Sequence, residues 1–200
     1  MYCGKEGIMD LLMTSAQCFA ELTNIEYNIT IGRKGVKYEF TVAFHPEDFH
    51  HLAGLHKLPD IPAVRGSRER VFKNILNGKL TYKDIITSTH FTQSDERLRH
   101  LCFLENFMDS NEIIFKYDKS KNPSSRINAL YLLENTPQDT TLYFFIDKDS
   151  YGEKMVGCSF FPRKEKDYSI LQPKMSLLYK KKTYMNTGIE IIQYDKLHGQ

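Results

Sequence analysis

The chain has 200 residues and a mass of 23.4 kDa, the length of a single domain. A hydrophobic fraction of 41%, with 13 Phe and 12 Tyr, can build a core and excludes a wholly disordered polypeptide. No apolar run approaches the roughly 20 residues that cross a bilayer, and Ile8 to Met13, broken by Asp10, lacks the apolar region of a secretory signal. A soluble, cytoplasmic protein with no membrane partner is the expectation. Four widely spaced cysteines (Cys3, Cys18, Cys102, Cys158) form no C-x-x-C pair, so reduced thiols are expected as well.

Charge is segregated. The chain as a whole is only +2, yet residues 56–83 carry seven Lys or Arg against Asp60 and Glu69. Residues 163–182 carry seven more against Glu165 and Asp167, so each segment is +5 and the remainder is −8. Two such segments suit a surface that meets a polyanion, because phosphate contacts supply most non-specific nucleic-acid affinity. Two solvated faces would have the same composition.

In chain order, the first half alternates helical and extended signals. Ile8, Leu11, Leu12, Ser15, Phe19 and Leu22 recur near helical spacing. Residues 27–31 and 36–42 alternate around a glycine-bearing loop, the pattern of a β-hairpin. Pro46, Glu47 and Asp48 open a predicted helix that runs to about Leu58, where Pro59 and Pro62 stop it. Short helices follow: one capped by Ser67 and ending at Gly78, one opened by Thr81 with Asp84, and one from Ser94 with Leu98, Leu101, Cys102, Glu105 and Met108 on one side. From residue 112 the period becomes two. Strands are expected at 113–117, 129–133, 142–146, 155–161, 175–182 and 189–194, joined by short turns. Short connections favour antiparallel neighbours. The expected fold is one α+β domain: an N-terminal helix and hairpin with a helical packet over residues 1–111, then an antiparallel meander over 112–197.

The densest reactive segment is Phe49-His50-His51-Leu52-Ala53-Gly54-Leu55-His56-Lys57, which holds three of the seven histidines. Imidazole takes and returns protons near neutral pH, which suits general acid–base work. On a helix His50 and His51 point about 100° apart and cannot serve one atom equally. His56 shares the stripe of Phe49 and Leu52, the place of a hydrogen-bonded core histidine. Gly54 within a helix costs about 1 kcal/mol relative to alanine and suggests close approach by substrate or by another helix. His51 and His56 are five apart and no H-E-x-x-H occurs, so no zinc site is expected. Nucleotide-hydrolase and α/β-hydrolase motifs are missing too. A second cluster is Cys158 to Lys164, followed by Leu177-Leu178-Tyr179-Lys180-Lys181-Lys182. An aromatic beside cations can stack a base and hold phosphate; an edge strand guarded by lysines looks the same.

Phe49 to Leu58 resembles the F-x-H-L-x-G motif of the phage-type Barnase–EndoU–colicin–RelE-like (BECR) nucleases, fourth subgroup. Phe72 to Leu80, Ser159 to Pro162, Leu177 to Lys180 and Ile192 to Leu197 are similar to that family as well, so the resemblance covers nearly the whole chain. It implies a helix-then-antiparallel-sheet nuclease of a phage or mobile element, acting in the cytoplasm as a toxin or effector, with RNA as its partner. It further implies cleavage without metal or cofactor, the 2′-hydroxyl attacking its own phosphodiester to leave a 2′,3′-cyclic phosphate. On this resemblance His51 is the acid–base residue and His56 its weaker partner candidate. Lys180 and Arg163 would stabilise charge, and Ser159 or Tyr179 would donate to a phosphate oxygen. His50, Lys57, Tyr179 and Lys182 would bind substrate. An immunity or host-defence protein is a further expected partner. The alternative is a module that keeps the fold without the chemistry, binding nucleic acid or inhibiting a defence system. DNA cleavage would need a carboxylate cluster for magnesium, and Asp and Glu are scattered.

Overall fold

The computed structural model describes residues 10–111 and 113–199; Cys3 and Ile8, named above, lie outside them. Helix α1 (Leu11–Leu22) starts where the Asp10 carboxylate accepts the Met13 N–H at 3.0 Å, a side-chain cap on an otherwise orphaned donor. Its buried face is Leu12, Ala16, Phe19 and Leu22. Strands β1 (Ile25–Arg33) and β2 (Val36–Val42) form the expected hairpin, turning through Lys34 and Gly35 with φ of 51° and 80°.

Five helices separate this hairpin from the remaining strands: α2 (Asp48–Leu52), α3 (Arg68–Leu76), α4 (Tyr82–Ile85), α5 (Thr92–Leu101) and α6 (Leu104–Asp109). The capping box of Thr81 and Asp84 is in place at α4. Two expectations need correction here. The single helix predicted from Ser94 is two helices, α5 and α6, with the chain turning at Cys102 and Phe103. The expected reduced thiols are also not what the structure holds. Cys18 of α1 and Cys102 at the end of α5 form a disulfide with Cα atoms 5.2 Å apart, a pairing hidden by a sequence separation of 84.

Strands β3 (Ile113–Lys116), β4 (Tyr131–Asn135), β5 (Leu142–Lys148) and β6 (Met155–Pro162) follow one another as antiparallel neighbours. Strand β7 (Lys174–Tyr184) does not continue from β6. It returns to pair with β3 at one end and with β1 along most of its length, and β8 (Ile189–Asp195) lies on its outer edge. A parallel contact at Val42 and Met155 joins β2 to β6. The order β1-β2-β6-β5-β4-β3-β7, closed by β1 and β7, makes a barrel-like sheet. The expected separate meander is therefore corrected: the early hairpin belongs to the same sheet. Short turns reveal sequential neighbours but not long-range closure.

The main core packs the helices against this sheet, with Phe19, Phe44, Phe49, Phe107, Phe144 and Phe160 at its centre. A smaller cluster of Phe115, Tyr117, Leu132, Tyr143 and Phe145 covers the opposite face, with Phe161, Tyr168 and Ile127 packed on it. Burial on both faces explains why β5 opens as an unbroken apolar run. Among the described residues, no helix is long and apolar enough to cross a membrane.

Candidate active site

The histidine-rich segment does not fold as one helix. Helix α2 ends at Ala53, Gly54 turns left-handed at φ 75°, and Leu55–Lys57 form a 3₁₀ turn. Gly54 is thus a helix terminator, the position where a residue without Cβ is favoured. The break has a direct consequence. On a continuous helix, residues five apart point about 140° away from each other. Here the His51 and His56 rings face each other with centroids 4.6 Å apart. His56 is exposed and His51 half-buried, which corrects the reading of His56 as a core residue.

Both rings open onto a cleft of 1190 Å³, lined also by Lys57, Arg97, Ser159 and Phe161. Arg97 comes from α5 and is 6% exposed. Its Nη2 donates to the Ser159 hydroxyl on β6 at 3.0 Å, and its Nη1 lies 3.4 Å from the carbonyl oxygens of His51 and Leu52. The guanidinium carbon sits 5.1 Å from the centre of the Phe161 ring. Gly54 makes room for this side chain, since a Cβ there would stand 2.8 Å from Arg97 Cδ. The close approach expected at Gly54 is therefore made by α5, whose Ser94 hydroxyl also donates to the Gly54 carbonyl at 2.9 Å.

Among the described residues no carboxylate lies within ion-pair distance of Arg97. Its neighbour Glu96 is taken by Lys164, 2.6 Å away on the rim. Glu96 still acts on the guanidinium at longer range, but a buried cation outside any ion pair is costly, and a bound anion would offset that cost. The electrostatics agree. Burial, then Arg68, His50 and Arg97, push His51 down to about 4. His56 is open to the cleft on one side, and desolvation by the surrounding wall, then His51 and Arg97, pushes it down to about 4. Lys57 falls to about 8 through burial, Arg97 and Lys164, and Arg97 itself to about 10 through burial. Cys158, at the cleft edge, is pushed up to about 12 by burial and by Asp147 and Asp48, so its thiol is inert at neutral pH.

The other expected site residues lie elsewhere. His50 is buried, and its Nε2 meets the Val64 carbonyl at 2.8 Å; a carbonyl only accepts, so that nitrogen carries the proton and anchors a neighbouring turn. Lys180 is fully buried and donates to the carbonyls of Met108 (2.7 Å) and Ser110, beyond the end of α6. Lys182 is buried between Glu105 and Asp109, at 2.7 and 2.8 Å. Tyr179, on β7, lies beside the His198 ring, and Arg163 pairs with Asp167 at 2.6 Å. None of these five lines the cleft. The expectation that late-strand cations face the imidazoles is corrected accordingly: β7 alternates, and its inward lysines serve the helix packed inside. The facing cation is Arg97, which sequence reasoning missed. Its signal was its place on the buried stripe of α5 with Ser94, Leu98 and Leu101.

An α+β domain with a cleft that pairs two imidazoles beside a buried guanidinium carries groups able to transfer protons and to meet an anion. The family model of the phage-Barnase-EndoU-ColicinE5/D-RelE like nuclease 4 matches residues 11–197, and the chain belongs to that nuclease family. No curated protein and no solved structure matches it.

Proposed function

We propose that the chain is a metal-independent endoribonuclease that cleaves single RNA linkages in the Arg97 cleft. In this reading a scissile phosphate lies against Arg97, with Lys57 and Ser159 beside it. His51 takes the proton of the 2′-hydroxyl, whose oxygen forms a new bond to phosphorus. The bond to the 5′-oxygen breaks, and His56 delivers a proton to that leaving oxygen. The products are a 2′,3′-cyclic phosphate and a 5′-hydroxyl. Both rings are neutral in the free protein, so the charge of the phosphate also acts on them, favouring the protonated form of the imidazole that serves as acid. Arg97 stabilises the extra charge on the phosphorane.

The observation that carries this reading is the facing pair of imidazoles beside a buried guanidinium that, among the described residues, no carboxylate pairs with. The test is incubation of the purified protein with total RNA, with and without EDTA, followed by mapping of the new ends. Cyclic-phosphate ends in both conditions are expected. RNA retained but uncut would support the non-catalytic binding module, and cleavage only without EDTA would overturn the metal-independent route.

A further inference from the structure

Arg97 has more donors than the protein uses. A guanidinium carries five N–H groups. Nη1 lies 3.4 Å from the His51 and Leu52 carbonyls, and Nη2 donates one hydrogen to Ser159. Nε–H and the second Nη2–H meet no acceptor among the described residues. Those two donors can form one edge of the planar group, the geometry that matches two oxygens of a phosphate. Gly54 keeps the edge clear, since a side chain there would begin 3.4 Å from Nε.

An arginine side chain has many rotamers, and the two carbonyl contacts at 3.4 Å are too long to fix the plane on their own. The plane needs a flat support. Phe161 supplies it with one face, while the Phe145 ring stacks on Phe161 at 5.7 Å and 17°. Tyr143 and Tyr168 meet the Phe161 ring edge-on, at 6.1 and 5.6 Å. The ring is therefore held by the outer aromatic cluster and presents a rigid surface to the guanidinium.

We infer that Phe161 is a positioning residue: its ring face orients Arg97 so that the Nε and Nη2 edge receives a phosphate group of the bound nucleic acid. This rests on the reading of the cleft as a phosphate-binding site. Phe161 touches no reacting atom and acts only through Arg97. Lys164 is engaged by Glu96 and Lys57 donates to the Gln93 side chain, and an ammonium has no planar edge with which to fix phosphate orientation.

The test uses the full chain and inorganic phosphate, followed through the NMR shifts of the His51 and His56 imidazoles. Phe161→Leu keeps apolar bulk and removes the ring face; Phe161→Tyr keeps the face. Loss of a desolvated cation–ring contact predicts phosphate affinity lower by about tenfold in Phe161→Leu, and within about twofold of the original in Phe161→Tyr. Thermal melting of both variants checks that each is folded. Where RNA is cleaved, Phe161→Leu should lower kcat/KM by at least the same factor, with Phe161→Tyr close to the original. Original affinity in a folded Phe161→Leu, or equal loss in both variants, would overturn the positioning role and leave the nuclease reading standing. If the unsubstituted protein shows no saturable phosphate response at either imidazole, the phosphate cleft itself fails, and this inference with it.

Discussion

The imidazoles of His51 and His56 lie 4.6 Å apart, centre to centre, at 51° between planes, because Gly54 ends the helix between them. Two rings so close act as a unit. His51→Ala is expected to lower RNA cleavage by at least about 100-fold, and His56→Ala by a similar factor, while circular dichroism and the melting temperature stay near their original values. The double variant should be little worse than either single one, since a base without its acid already fails. Cleavage by His51→Ala at the original rate in EDTA would remove the histidine from the reaction.

The same pair should titrate far below ordinary histidine. Desolvation by the cleft wall is the largest cause for both rings, and Arg97 contributes to both. An NMR titration of the free protein should show the pair gaining protons near pH 4 rather than about 6.5. Arg97→Ala should move both midpoints upward, though not to 6.5, because burial remains. Midpoints unchanged by that substitution would place the guanidinium too far away to matter.

Stability should follow from these shifts. His51 and His56 are lowered in the folded protein, and burial lowers His50 as well. Between about pH 6.5 and 4 the unfolded chain therefore binds more protons at His51 and His56, His50 acts in the same direction, and stability falls as pH falls. Asp48 has the opposite sign. Burial raises it to about 6, so it stabilises in acid and loses that contribution as pH rises from about 4 to 6. Three imidazoles outweigh one carboxyl, and the melting temperature is expected to be higher at pH 7 than at pH 5. Replacing His51 and His56 together by Gln should flatten the profile; a steeper profile in that variant would contradict the assignment.

Much of this architecture was legible in the sequence. Helical spacing marks α1, alternation around a glycine-bearing loop marks the first hairpin, and short apolar or alternating runs between turns mark the strands from β3 to β8, although β5 opens as an unbroken apolar run. What could not be read is how distant elements meet. Closure of β7 on β1 depends on pairing across roughly 150 residues of chain and leaves no local signal. The site shows the same division. The histidine segment announces itself by composition, but the left-handed turn at Gly54 changes which rings face each other. Arg97 sits on the buried stripe of α5, and its partner Ser159 comes from a strand 62 residues away. Lysine runs misled for a physical reason. In a strand every second side chain points inward, so Lys180 and Lys182 were drawn to carbonyls and carboxylates inside rather than to a substrate outside.

Lys180 is accordingly expected to matter for folding and not for chemistry. It is 0% exposed, and its ammonium satisfies carbonyls at the end of α6. Lys180→Met leaves those acceptors buried and unanswered, at a cost of about 2–4 kcal/mol in urea unfolding. Cleavage per folded molecule should be unchanged. A Lys180→Met protein that is fully stable yet inactive would return this residue to the site.

The disulfide supplies a last expectation. Cys18 and Cys102 join α1 to the end of α5, the helix that carries Arg97. The two helices also meet through the Ser15 hydroxyl, which donates to the Leu98 carbonyl at 2.9 Å, and through the core packing of Leu98 and Leu101. Those contacts hold the helices together without the bridge, so Cys18→Ser and Cys102→Ser should both fold. The bridge closes a long loop and restricts the unfolded chain, which places its contribution at about 2–4 kcal/mol. Dithiothreitol should therefore lower the urea midpoint of the original protein to that of either variant, and have no further effect on the variants. A midpoint indifferent to dithiothreitol, with Cys18→Ser equally stable, would show that the two sulfurs meet without contributing a cross-link.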